Sequence, residues 1–140
     1  MKILLADDDL DDLFFFKKAL SEIPIETELT TAHDGEELMA YLAKNSENLP
    51  DVLFLDLSMP RKTGFECLSE IKLNDKFKVL PVIMFSTFYK KDINFEKGMK
   101  NMLYQIGAMD YICKPDDFEK LKQVIHAALI SIIEKKCNTL

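Results

Sequence analysis

Five short apolar runs, each followed by an amphipathic stretch, restrict this chain more than any other feature of its sequence. The runs are KILLA (2–6), TELTTA (27–32), DVLFLD (51–56), PVIMFS (81–86) and DYICK (110–114). Each has strand length, and the third and fourth read as strands buried on both faces. The stretches between and after them carry helical periodicity over 9–22, 35–45, 64–73, 92–106 and 116–136. The last repeats most regularly, with Phe118, Leu121, Ile125, Ala128, Leu129 and Ile132 on one stripe. Strand and helix in strict alternation predict a doubly wound α/β domain: a parallel five-stranded sheet with helices on both faces. No linker, repeat or low-complexity segment interrupts the 140 residues, so a single domain over 1–140 is expected, with no output domain after the fifth helix.

In such sheets ligands lie beyond the carboxyl ends of the strands, where helix N-termini also point. The residues at those ends are Asp7 and Asp8, Asp56, Ser86 with Thr87, and Lys114. Three carboxylates gathered at one edge repel each other and call for a cation. Oxygen ligands that leave room for water suit Mg²⁺ better than Zn²⁺. The remaining aspartates of LLADDDLDD have another use: Asp9 reads as the N-cap of the first helix, and Asp11 and Asp12 as first-turn charges that complement the helix dipole. Asp56 closes an otherwise apolar strand, where an ionised side chain is costly without a partner or a use.

The segments ILLADDD, FLDLSMP, PVIMFST and YICKP, in this order and spacing, resemble the receiver domain of two-component response regulators, of the single-domain chemotaxis-regulator type. The resemblance covers nearly the whole chain and implies a flavodoxin-like five-stranded parallel sheet of order 2-1-3-4-5 with five helices. It implies that Asp56 accepts a phosphoryl group from the phosphohistidine of a sensor histidine kinase or histidine phosphotransfer protein. It also implies that Asp7, Asp8 and Asp56 hold Mg²⁺, with Asp8 the direct ligand and Asp7 acting largely through water, and that Ser58 gives a backbone carbonyl to the metal. Ser86 matches the switch hydroxyl, Lys114 the lysine that accompanies the phosphoacceptor, Tyr111 the switch aromatic, and Pro115 a proline preceded by a cis bond. Lys114 would neutralise charge on the phosphoryl oxygens opposite the metal, and Ser86 would bond a phosphoryl oxygen and draw its loop inward. Tyr111 could then swing into the space left behind, changing the surface of the fourth helix, fifth strand and fifth helix.

Three departures from the family pattern stand out. Thr87 is bulkier than usual after the switch hydroxyl, which would restrict access to Asp56. The segment from Ser86 to Tyr111 is longer by about a turn and a half of helix. The last helix continues through ISIIEKKCNTL, where Ile130 and Ile133 flank its core stripe and suggest a partner or dimer contact. Met99, Met102, Leu103 and Ile106 form a further stripe on the fourth helix.

A net charge of −6 argues against nucleic-acid binding, and no apolar run spans a membrane, so the expected location is cytoplasmic. Cys67, Cys113 and Cys137 lack metal-ligand or redox spacing and read as reduced, structural thiols. In FFF (14–16) the three rings cannot all face the core; Phe14, with Leu10, Leu13 and Leu20, is expected to pack inward. Two other readings compete. A haloacid-dehalogenase-type phosphatase would use the D-x-D in DDDLD, but takes Thr or Val where Asp11 stands, needs an acidic motif that Asp116 and Asp117 supply too late, and leaves Asp56 without a role. A pseudo-receiver, a binding module without phosphorylation, predicts eroded chemistry, whereas every expected side chain is present.

Overall fold

The computed structural model describes residues 1–87 and 93–138. Its elements alternate as β1 (Lys2–Ala6), α1 (Leu10–Glu22), β2 (Glu28–Ala32), α2 (Gly35–Lys44), β3 (Val52–Leu55), α3 (Gly64–Leu73), β4 (Val82–Ser86), α4 (Ile93–Ile106), β5 (Asp110–Cys113) and α5 (Phe118–Asn138). The five strands are parallel, as the sequence pattern predicts, and their order β2-β1-β3-β4-β5 is the one the family resemblance implies. Element boundaries fall within two residues of the expected ones.

Alternation along the central strands divides the core in two. One face presents Leu4, Ala6, Leu53, Leu55, Val82 and Met84 to Leu38 and Leu42 of α2, Leu68 and Ile71 of α3 and Leu103 of α4. The other presents Ile3, Leu5, Val52, Phe54, Ile83 and Phe85 to α1 and α5. There Phe16, Phe54 and Phe85 form a mutual edge-to-face triangle with centroids 5.0, 5.7 and 5.9 Å apart.

The FFF run differs from expectation. Phe16 is the buried ring, in line with Ala19, Leu20 and Ile23, whereas Phe14 and Leu10 face solvent. The positions share one face because they step by three and four residues; Leu10 and Phe14 form a second apolar stripe about 100° or more away that no other element covers among the described residues. Phe15 meets Phe118 of α5 with centroids 6.5 Å apart, the helix-to-helix packing expected for one of the outer rings.

The helix starts are capped as the sequence suggests. Asp9 accepts from the backbone N–H groups of Asp11 and Asp12, and Thr63 forms a capping box with Glu66. Gly64 opens α3 because nothing larger fits. A Cβ there would lie 2.2 Å from the carbonyl oxygen of Asp56, so α3 starts directly beneath the end of β3. In the preceding loop Arg61 has φ 69°, the sole positive φ of a non-glycine residue among those described.

Candidate functional site: the carboxyl edge of the sheet

One backbone hydrogen bond beyond the end of each of β1, β3 and β5 fixes the site. Asp7 N–H donates to Ala32, Asp56 N–H to Ala6, and Lys114 N–H to Ser86, at 3.0, 3.0 and 2.9 Å. These final rungs clamp the main chain of residues 7, 56 and 114 while their side chains leave the sheet on a common edge. Ser86, the last residue of β4, joins them.

The side chains converge. Ser86 Oγ donates to Asp56 Oδ1 at 2.8 Å, and the backbone N–H of Ser58 approaches the same oxygen at 3.4 Å. Lys114 Nζ lies 2.6 Å from Asp7, 2.8 Å from Asp12 and 3.6 Å from Asp56 Oδ2. Its ammonium also sits 5.7 Å from the ring centroid of Phe85, so the aromatic triangle supports the cation from inside. Asp7, Asp56 and Ser86 are buried, and Asp8 is exposed. Asp8, Asp9, Asp11, Asp12, Asp56, Ser58, Ser86, Thr87 and Lys114 line an open cleft of about 580 Å³.

Burial pushes the Asp7 carboxyl up to about 6, against the lowering pull of the Lys114 ammonium and the Asp9 N–H. Burial acts on Lys114 in the opposite sense, but hydrogen bonds to Asp12 and Asp7 and the charge of Asp56 outweigh it and hold the ammonium above its ordinary range. Lys114 is therefore a cation at any physiological pH.

Asp7, Asp8 and Asp56 each offer an oxygen, and these atoms lie within 4.8 Å of one another. Three hard oxygen donors, two from buried residues and one facing the cleft, against one ammonium leave excess negative charge. That donor set fits a hard divalent cation such as Mg²⁺.

Several expectations need correction. Asp12 is more than a first-turn charge, since its carboxylate is one of the two hydrogen-bonded partners of Lys114. The two residues stand 102 positions apart, so only the tertiary fold reveals the pair. The bond before Pro115 is trans, as there is no cis peptide among the described residues; the two isomers of an X–Pro bond differ by only about 0.5–1 kcal/mol, so local packing decides between them. Tyr111 is already inside, packed in the core face that includes Met84 and Leu103, with Lys100 of α4 5.4 Å from its ring centroid. Of the three thiols only Cys67 is buried; Cys113 and Cys137 are exposed, and all three are free. Thr87 borders the cleft on its solvent side. Of the longer segment between Ser86 and Tyr111, residues 88–92 lie outside the described ones.

A doubly wound sheet with an acidic, lysine-bearing carboxyl edge is the architecture of signalling receivers. This chain belongs to the response regulator receiver domain family, whose model matches residues 3–126. Response regulator Rcp1 of Synechocystis is 35% identical over 94 residues, covering 64% of each chain. Protein PilG of Pseudomonas aeruginosa is 32% identical over 127 residues, 91% of this chain and 86% of its own. Among solved structures, the Mn(2+)-bound form of Rcp1 superposes with a TM-score of 0.76 at 28% identity, over 90% of this chain and 89% of that one. The phosphorylated cyanobacterial phytochrome response regulator RcpA does so with a TM-score of 0.75 at 33% identity, over 91% and 89%. The chain spans 64% of the length of Rcp1 and 46% of that of LytT of Bacillus anthracis. Aspartate phosphorylation and Mg²⁺ are typical of the family, which works through contact with histidine kinases and downstream targets and is not generally enzymatic in the usual sense. Membership sets aside the phosphatase alternative. Among the described residues no helix is long and apolar enough to cross a membrane.

Proposed function

We propose that this domain is a phosphorylation switch that takes a phosphoryl group onto Asp56 from a histidine kinase or a histidine phosphotransfer protein. The observation that carries the reading is the convergence on one carboxylate of a hydroxyl donor at 2.8 Å and a buried ammonium at 3.6 Å. In the transfer, an Asp56 carboxylate oxygen forms a bond to phosphorus while the bond from phosphorus to the histidine nitrogen breaks. The imidazole keeps the electron pair. Charge then grows on the peripheral phosphoryl oxygens, and the residues present are placed to meet it. Lys114 is held cationic beside the carboxylate, and Asp7 fixes its direction. Ser86 exchanges its bond to Asp56 Oδ1 for one to a phosphoryl oxygen, which moves the end of β4. Asp7, Asp8 and Asp56, with the carbonyl of Ser58, would hold the cation; Mg²⁺ would supply charge neutralisation when bound.

The signal leaves through the surface made by α4, β5 and α5. Tyr111 of β5 sits two strand positions before Cys113, which pairs with Ser86, and its ring lies against Lys100 of α4. Displacement of β4 at Ser86 therefore reaches α4 through Tyr111. That surface would engage a downstream protein or a second copy of the chain.

Incubation with acetyl phosphate and Mg²⁺ followed by intact mass measurement is expected to show one labile phosphoryl group, absent from Asp56→Asn. A chain that acquires no adduct would be a pseudo-receiver. An adduct retained in Asp56→Asn would move the nucleophile to another carboxylate.

A further inference from the structure

We infer that Asp12 is a positioning residue that holds Lys114 back from Asp56 and so limits how fast the site takes up phosphate. The inference rests on the reading of Asp56 as phosphoacceptor. An ammonium has three N–H donors and no acceptor. Two of those of Lys114 are committed, to Asp7 at 2.6 Å and Asp12 at 2.8 Å, while Asp56 at 3.6 Å lies beyond hydrogen-bond distance. As phosphate arrives, charge develops on oxygens attached to Asp56, and Lys114 must turn toward them. Its third N–H is uncommitted, but the two short bonds hold Nζ 3.6 Å from Asp56, and moving it closer stretches one of them.

The two partners are unequal. The Asp7 side chain is 1% exposed and also accepts the Asp9 N–H at 3.0 Å, so leaving it without the ammonium would strand a buried charge. The Asp12 side chain is 37% exposed at the rim of the cleft, where water can replace Lys114. Asp12 is thus the partner that Lys114 releases, and the strength of their contact adds to the barrier for transfer.

The test compares uptake from acetyl phosphate with Mg²⁺ in wild type, Asp12→Asn, Asp12→Glu and Asp11→Asn. In this reaction the bond from Asp56 to phosphorus forms, the bond from phosphorus to acetate breaks, and acetate leaves with the pair. Asp11 lines the same cleft and the same helix turn without touching Lys114, so Asp11→Asn measures the effect of removing one negative charge there. Asp12→Asn is expected to raise the uptake rate about fivefold or more above Asp11→Asn, the size of one charge-assisted hydrogen bond at a half-exposed site. Asp12→Glu should restore the wild-type rate. In a Lys114→Ala background, Asp12→Asn should have no effect beyond that of Asp11→Asn, since the residue acts only through the lysine. Equal rates for the two asparagine variants, or a slower Asp12→Asn, would overturn the inference while leaving Asp56 as acceptor. A wild-type chain that takes up no phosphate would overturn both.

Discussion

At the level of single residues, the acidic cluster divides by burial. Asp7 is enclosed and ion-paired, whereas Asp8 is exposed and makes a third negative charge in a small volume. Asp8→Asn should therefore leave the metal-free protein as stable or more so, because repulsion is relieved. The same variant should lose the rise in melting temperature produced by Mg²⁺, which at ten times its Kd would reach about 1.4 kcal/mol in wild type. A large loss of stability in chelator would make Asp8 a structural residue instead. Cys67 allows a sharper test. Burial pushes its thiol up to about 11, so the unfolded thiol ionises first, from near 9. Its contribution is fully present below pH 9 and is lost as pH rises toward 11, at about 1.4 kcal/mol per unit. Denaturation in that window should show this slope in wild type and not in Cys67→Ala. Thiol titration at pH 8 should count two reactive groups in the native state, Cys113 and Cys137, and three after unfolding. Asp56, Ser86 and Lys114 were legible in the sequence because each closes an apolar run. The second role of Asp12 was not, because helix position alone accounts for an acid there.

Among elements, α1 shows where periodicity reaches its limit. Its sequence holds two apolar stripes, Leu10 with Phe14 and Phe16 with Ala19, Leu20 and Ile23, and both satisfy helical spacing. The sheet decides between them: Phe54 of β3 and Phe85 of β4 offer ring edges to Phe16, while among the described residues the one ring beside Phe14 is that of Phe15 on the same helix. Phe16→Ala should cost about 3–5 kcal/mol through loss of buried area and the cavity left in the triangle. Phe14→Ala should stay within about 0.5 kcal/mol of wild type. Chemical denaturation of the two variants measures the difference, and comparable losses would mean that the outer stripe is covered in solution. Strand ends were more readily legible than helix faces for a physical reason. A strand stops where polar side chains must leave the sheet, whereas a helix can present either of two stripes until it meets its neighbour.

Over the whole molecule, alternation alone predicted parallel strands covered by helices on both faces, because right-handed crossovers place the helices there; the strand order came from the family resemblance, since more than one order satisfies the same alternation. The exposure of α4 and α5 depends on how far each projects beyond the core. Leu103 of α4 is buried, but Met102 and Tyr104 beside it are 45% and 43% exposed. On α5, Leu129 and Ile132 enter the core while Ile130 and Ile133 are 41% and 39% exposed. Apolar side chains on both helices that flank the edge strand β5 favour a covering partner over open water. A second copy of the chain meets that need with the same residues on both sides, as a two-fold contact requires. Phosphorylation would bias it through Ser86, Tyr111 and Lys100, with a coupling of about 1–3 kcal/mol, typical of two linked sites. Sedimentation with and without a beryllium fluoride mimic should show a shift toward dimer in wild type. Tyr111→Ala should weaken the shift, because the ring is the link between β4 and α4. Ile130→Glu with Ile133→Glu should abolish association while leaving phosphoryl uptake at Asp56 intact, since neither residue touches the site. Identical mass distributions for all samples would exclude the dimer and leave the same surface to a different protein.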